Sequence, residues 1–143
     1  MHPPTRHPLP QGVRKLLWTA GSSNMFELDG VTPHYKMDGG RGPSEGYFRA
    51  HAAPISAIKA AAQANGLAYV IFCPGRMLPG VLSSPPPAVM TAPDPSARSR
   101  WDFVCYEDAA HAVVTAAESS AYDGRHVQAL TLPSALGYAG PPV

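Results

Sequence analysis

The stretch Asn65–Met77 constrains the fold of this chain more than any other. It opens with an Asn-Gly pair after an alanine-rich run. That pair predicts the end of a helix, because glycine adopts the left-handed conformation there without a Cβ clash. Residues 67–72 are almost all apolar and rich in β-formers, as in a strand covered on both faces. A Pro-Gly pair then turns the chain. The stretch therefore predicts a helix, a buried strand and a turn at the strand's carboxyl end, where open parallel sheets bind ligands.

A second apolar segment upstream supplies the other half of a βαβ unit. Residues 13–19 predict another buried strand, which a small polar loop follows. A helix is predicted from about Pro54 to Ala64, because proline suits the first helical position. Apolar residues recur on one face of this segment, at Ile55, Ile58 and Ala62. A crossover of this kind makes the two strands parallel and places the helix on one face of the sheet, which predicts an α/β fold.

Composition and charge argue against several classes of protein. Charged residues make up 15% of the 143 residues, the formal net charge is +1, and no basic run is present, so nucleic-acid binding is not expected. No apolar stretch approaches the about 20 residues of a membrane span. The amino terminus also lacks the apolar core of a signal peptide, so we expect a cytoplasmic protein that does not enter a membrane. Cys73 and Cys105 are expected to be reduced thiols, and no metal site is expected.

Prolines and glycines divide the chain into segments. The seventeen prolines and thirteen glycines concentrate outside the predicted helices and strands, where they indicate loops or disorder. We expect residues 1–12 to form a flexible leader and residues 13–132 to form one folded domain. A proline-rich loop is expected within that domain at 78–100, and a flexible tail at 133–143.

Four segments occur in an order that resembles a known group of proteins. They are Leu16–Ser22, Ala64–Leu67, Tyr69–Arg76 and Phe103–Ala110. This order resembles the carboxyl-terminal half of the atypical short-chain dehydrogenase/reductases, in particular the NAD(P)H-binding proteins that include flavin/biliverdin-IXβ reductases and NmrA-like sensors. The turn Ala121–Arg125 also looks like that group, and the resemblance spans roughly Val13 to Leu132. It implies a partial Rossmann-like, doubly wound parallel sheet that lacks the amino-terminal βαβ half.

The resemblance implies NADP or NAD as the cofactor. In that group the dinucleotide fingerprint lies on the first βα turn, near the amino terminus. This chain has no such fingerprint, and Gly39–Gly42 is glycine-rich but follows no predicted strand and opens no predicted helix. We therefore expect weak binding of NADP or NAD, and the chain looks like a truncated member of the group.

The resemblance also implies a ligand site at the carboxyl edge of the sheet. Ser22 is expected to hydrogen-bond a substrate carbonyl or the cofactor. Arg76 is expected to meet an anionic substrate or a phosphate, because its fork suits planar oxyanions. The alternatives are a plain turn at Ser22 and a solvated arginine at position 76. If the prediction holds, both side chains lie at the same rim of the sheet. The expected cofactor-binding residues are Thr19, Gly21, Ser22, Pro74, Gly75, Arg76 and Met77.

Two residues are candidates for catalysis, Ser22 and Tyr47. Tyr47–His51 resembles the Tyr-x-x-x-Lys motif of the group with histidine in place of lysine, the residue that lowers the phenol pKa for proton transfer. Counting back from the helix end puts His51 and Ile55 at the two motif positions instead, and neither pair is competent. The alternative role of Tyr47 is packing.

A second helix is predicted to begin near Glu107 and Asp108 and to run to about Glu118. Acidic residues in the first turn stabilise the helix dipole, which favours a structural role for both. The apolar stripe of this helix is expected at Ala110, Val113, Val114 and Ala117.

Two functions follow as hypotheses. The first is an NAD(P)-dependent oxidoreductase that transfers hydride to a small flavin, quinone or carbonyl compound. The second is a non-catalytic relic or an NmrA-like module for nucleotide sensing or interaction. Such a module would associate with itself or with a partner chain through an exposed sheet edge.

Overall fold

A computed structural model describes residues 12–25, 43–91 and 103–131. The expectations for the leader, for the tail and for Gly39–Gly42 lie outside the described residues, apart from Gly12. Short 3-10 turns lie at Ser22–Asn24 and Ser120–Tyr122. The helices and strands, in chain order, are β1 (Lys15–Thr19), α1 (Pro43–Asn65), β2 (Ala68–Phe72), β3 (Arg76–Leu78), β4 (Phe103–Cys105), α2 (Tyr106–Glu118) and β5 (Arg125–Val127).

The main sheet has three strands in the order β1-β2-β5, and both pairings are parallel. Thr19 is level with Phe72, and Phe72 is level with Val127, so the three strands end together. The prediction that the two apolar strands are parallel is confirmed. Strands β3 and β4 form a second, two-stranded parallel sheet that the sequence did not predict.

Helices cover the two faces of the main sheet separately. Side chains alternate along β2, so Val70 and Phe72 face one way and Ile71 the other. Val70 and Phe72 pack in a cluster with the alanines of α2, whereas Ile71 packs with Ile55 of α1. All three β2 side chains are at most 1% exposed. The arrangement is doubly wound, and the predicted fold class, a partial Rossmann-like α/β sheet, is confirmed.

Helix α1 is longer than predicted, because it begins at Pro43 rather than at Pro54. The prediction placed Pro54 at the first helical position, but the helix continues through it. An internal proline removes one backbone hydrogen bond, and contacts made by the preceding turns offset this loss. Glu45 and Arg49 form an ion pair one turn apart, and His51 packs edge-to-face on Trp18. At the other end Gly66 has φ +63, as predicted for the residue that ends the helix.

The predicted apolar stripe of α2 is wrong by one residue. The buried residues that α2 packs against the sheet are Ala109, Ala112 and Ala116, each at most 3% exposed. Of the predicted residues, Val113 is half-buried and packs against the same cluster, whereas Val114 is 53% exposed. This helix carries apolar residues on most of its circumference, so helical periodicity fits two adjacent stripes equally well. The structure selects the stripe of alanines, whose small side chains allow close approach to the sheet. The residues expected in the stripe and found outside the buried set are Ala110, Val113, Val114 and Ala117.

Part of the predicted proline-rich loop is attached to the main sheet. Leu78 is the last residue of β3, and Met90 forms an antiparallel bridge with Gln128 just beyond β5. The bridge places backbone from this loop beside the outer edge of β5. No helix in the described ranges has both the length and the apolar character that crossing a membrane requires.

Candidate functional site

The carboxyl ends of the three main strands meet at one edge of the sheet, which we call the carboxyl edge. The amide of Ala20 donates to the carbonyl of Phe72 at 2.7 Å, and the amide of Cys73 donates to the carbonyl of Val127 at 2.7 Å. The segments that carry Ser22 and Arg76 therefore leave neighbouring strands at the same edge. Their part in ligand binding stays a prediction.

The predicted residues after β1 form a compact turn, Gly21–Met25, which we call the serine turn. Thr19 is the exposed last residue of β1, and Gly21 precedes the 3-10 turn with an extended backbone. Ser22 is half-buried as the first residue of that turn, and Met25 is fully buried in the cluster between the sheet and α1.

The predicted residues after β2 do not form a simple loop. Pro74 is buried and Gly75 is half-buried, as expected for a turn that closes on the end of the sheet. Arg76 and Met77 are the first two residues of β3, so the turn that the Pro-Gly pair makes is followed at once by a strand. Both side chains are exposed, and pairing with β4 fixes their backbone. Arg76 makes no ion pair with a described residue.

Asn24 anchors the serine turn, and sequence reasoning missed it. Its Oδ1 accepts a hydrogen bond from the Gly21 amide at 3.3 Å, and its Nδ2 donates to the Phe48 carbonyl of α1 at 3.3 Å. Its own carbonyl accepts from His126 Nδ1 of β5 at 2.8 Å. Asn24 is only 2% exposed. A Ser-Ser-Asn run is typical of any polar loop, so the sequence gives no signal that this asparagine is buried.

His126 and Cys73 lie side by side on the α1 face of the sheet, with 3.8 Å between Cys73 Sγ and His126 Nδ1. Burial lowers the pKa of His126 to about 4, and the nearby Lys59 ammonium lowers it too, against the opposing effect of the bond to Asn24. Burial raises the pKa of the Cys73 thiol, and Lys59 offsets only part of this effect. Imidazole and thiol are therefore both neutral near pH 7, and Cys73 is not an activated nucleophile. Both cysteines are free thiols, as expected.

Tyr47 lies near the start of α1, at the carboxyl edge, with 65% of its surface exposed. The hydrogen bond from Asn24 to the next residue, Phe48, brings this part of α1 beside the serine turn. In the alternative register, His51 contacts Trp18 at 6.3 Å between ring centroids, and Ile55 is 8% exposed in the core. No lysine stands one turn after Tyr47 or His51, so the structure assembles no tyrosine-lysine pair from these positions.

Asp108 has a different structural role from the one predicted. It is 0% exposed, and its carboxylate accepts hydrogen bonds from the amide and hydroxyl of Ser83 and from the hydroxyl of Thr131. Burial by itself raises the pKa of Asp108, but the hydrogen bonds from Thr131 and Ser83 outweigh it and hold the pKa below its ordinary value. Asp108 is therefore a buried, ionised link between α2, the loop after β3 and the last described residue. No three potential metal-ligating side chains are grouped within the described residues.

Of the comparisons with known proteins, only the one with solved structures found a similarity. No protein-family model matches the sequence, and no curated protein matches it. Among solved structures, the fold is similar to a crystal structure of a "putative epimerase" from Bacteroides thetaiotaomicron, with a TM-score of 0.53 and 20% sequence identity. The similarity covers 85% of this chain and 55% of that protein, so the chain spans little more than half the length of the solved structure. At this identity the likeness shows a shared Rossmann-like fold.

Proposed function

We propose that the chain forms the substrate side of an NAD(P)-dependent oxidoreductase site that reduces a small flavin, quinone or carbonyl compound. The observation that carries the proposal is the convergence of three segments at the carboxyl edge. The serine turn follows β1 at this edge, and the Pro74–Met77 segment follows β2 at the same edge. The first turns of α1, which carry Tyr47, lie beside the serine turn. Ligands of open α/β sheets bind at this edge.

The described residues fit only part of a dinucleotide. Gly21 and Gly75 leave room beside the two segments, and the hydroxyl of Ser22 and the exposed guanidinium of Arg76 are polar groups that they offer. Within the described residues no glycine-rich turn connects a strand to a helix, so no cradle for the pyrophosphate is present there. The turns therefore suit the nicotinamide end of NADP or NAD, and we expect the affinity to be weak.

Each candidate residue has a defined task in this proposal. The cofactor, when bound, supplies hydride. The Ser22 hydroxyl donates a hydrogen bond to the substrate oxygen and can relay a proton from solvent to it. Arg76 holds an anionic group of the substrate or cofactor through charge-assisted hydrogen bonds, because no described carboxylate neutralises it. Tyr47 is a second hydroxyl at the same edge.

A titration with NADPH and with NADH, followed by nicotinamide fluorescence, tests the proposal. We expect saturable binding at micromolar concentration. Arg76→Ala should raise the Kd about tenfold, because one charge-assisted contact is lost. The matched control is Arg14→Ala, which removes an exposed arginine just before β1, at the opposite edge. No binding at millimolar concentration, or equal effects of the two substitutions, would contradict the proposal.

The free edge of β1 favours a second candidate function, an interaction module. Hydrogen bonds to β2 use Arg14, Ala20 and the even-numbered residues between them. The backbone groups of Lys15, Leu17 and Thr19 therefore point away from β2, and no described strand pairs with them. Such an edge can accept a strand from another polypeptide. In a purified sample, the partner available to the free edge of β1 is another copy of this chain.

The oligomeric state tests this second candidate. We expect Thr19→Pro, which removes one outward amide on an exposed residue, to shift the purified chain towards monomer in sedimentation velocity. Thr19→Val keeps the amide and should sediment like the original chain. A monodisperse monomer before any substitution would show that the edge does not cause self-association.

A further inference from the structure

We propose that Asn24 is a positioning residue, which holds the serine turn against α1 and β5 and so fixes Ser22 relative to Tyr47. The inference rests on the proposed oxidoreductase function and adds a residue that touches neither substrate nor cofactor in that proposal.

Both ends of the Asn24 amide form hydrogen bonds to other parts of the backbone. Its oxygen closes the serine turn on the Gly21 amide, and its nitrogen crosses to the Phe48 carbonyl. Asn24 is 2% exposed, so water does not replace either bond when it is lost. A buried polar group without a partner destabilises the fold, which makes the amide specific for this arrangement.

The two residues joined by this hydrogen bond lie close in sequence to the two candidate catalytic residues. Asn24 is two residues after Ser22, and Phe48 is the residue after Tyr47. The Asn24–Phe48 hydrogen bond is therefore a direct link between the segments that carry the two candidate catalytic hydroxyls. Pro54 has no amide hydrogen to donate to the Ala50 carbonyl, so α1 lacks one helical hydrogen bond close to Phe48, and contacts outside the helix have more influence there.

The serine turn is also attached to β5. His126 of β5 donates from Nδ1 to the Asn24 carbonyl at 2.8 Å, so the turn is held by the sheet as well as by α1. The adjacent Met25 is fully buried between them. The serine turn is attached at α1, at β5 and in the core, which leaves it little freedom. A hydroxyl that must meet a reacting group needs such a fixed position.

Asn24→Asp tests the role of the amide. The substitution keeps an oxygen for the Gly21 amide but places a second oxygen opposite the Phe48 carbonyl oxygen. These two oxygens repel each other. The matched control is Asn65→Asp at the far end of the same helix, since Asn65 Nδ2 donates to the Ala61 carbonyl at 2.7 Å on an exposed surface. Asn24→Ser, which is too short to reach Phe48, serves as an uncharged second variant if Asn24→Asp does not fold.

The readouts are NADPH oxidation with menadione as the quinone and amide hydrogen exchange of residues 20–25. We expect Asn24→Asp to lower kcat about tenfold or more at a nearly constant KM for NADPH. A misplaced Ser22 hydroxyl slows the chemical step and leaves NADPH binding nearly unchanged. Amide hydrogen exchange in the serine turn should become faster. Asn65→Asp should leave both kcat and this exchange unchanged. Folded Asn24 variants with unchanged kcat and unchanged exchange would overturn the positioning role.

The two proposals fail in different ways. If the original chain neither binds nor oxidises NADPH, the proposed function is wrong. The exchange measurement still decides whether Asn24 holds the turn. If the original chain is active and the Asn24 variants lose stability but keep kcat, the positioning role is wrong and the proposed function stands.

Discussion

Lys15→Met is expected to lower the free energy of unfolding by about 2–3 kcal/mol. The Lys15 ammonium donates to the carbonyls of Ala116 at 3.1 Å and Ser119 at 2.8 Å, which terminate α2, and it pairs with the Asp123 carboxylate at 2.6 Å. Its side chain is only 14% exposed. A cation at a helix carboxyl terminus satisfies carbonyls that have no helical partner and interacts favourably with the dipole. Methionine keeps the apolar stem and loses all three interactions.

Urea unfolding measures this effect. Arg14→Met is the matched control, because it removes the same charge from an exposed neighbouring residue and should change stability by no more than about 0.5 kcal/mol. A double-mutant cycle with Asp123→Asn separates the ion pair from the two carbonyl contacts. Equal stability of Lys15→Met and Arg14→Met would show that the lysine does not cap α2.

Asp108→Ala is expected to lower the free energy of unfolding more than Lys15→Met does, by about 3–4 kcal/mol, because it leaves buried donors without their acceptor. The Ser83 amide lies 2.8 Å from Asp108 Oδ1, and the hydroxyls of Ser83 and Thr131 both donate to Oδ2. The Thr131 hydroxyl also accepts from the Cys105 amide at 2.8 Å, so the loss extends to the end of β4. Glu107→Ala is the control: it removes an exposed acid from the same helical turn and should cost no more than about 1 kcal/mol.

The pH dependence adds a second measurement for Asp108. Its folded pKa lies below the ordinary value, so its contribution is complete above that value and is lost as the pH falls through the folded pKa. The difference in unfolding free energy between the original chain and Asp108→Ala should therefore shrink below about pH 4. The folded pKa of His126 is about 4, so its contribution to the free energy of unfolding is lost as the pH falls from about 6.5 to 4. This happens in both proteins and cancels in the difference. A difference that does not change with pH would mean that Asp108 is not ionised in the fold.

The sequence was sufficient to predict the central βαβ unit. The apolar runs of β1 and β2 and the glycine that ends α1 are local signals, and parallel pairing follows from the long connection between the strands. The face of α1 that packs on the sheet was also correct, because Ile55, Ile58 and Ala62 leave a single apolar stripe. In α2 the same reasoning was correct for Val113 and wrong for the other three residues, because apolar residues there fit either of two adjacent stripes.

The anchors of the candidate site could not be predicted, because each depends on residues far apart in sequence. Asn24 resembles a loop residue until Phe48 and His126 are placed beside it. Lys15 resembles a polar residue of a strand until the end of α2 meets it. Burial decides the role of all such polar groups, and burial is a property of the assembled fold.

The connection of Lys15 to the end of α2 also determines when the domain can be completed during synthesis. Lys15 and the carbonyl of Ala116 are 101 positions apart, and the Asp108 carboxylate receives a donor from Thr131. During synthesis Lys15 therefore lacks these partners until late, whereas the pairing of β1 with β2 needs only the residues up to Phe72. A nascent chain that stops before Thr131 lacks one donor to the Asp108 carboxylate, and we expect it to be less stable than the complete domain.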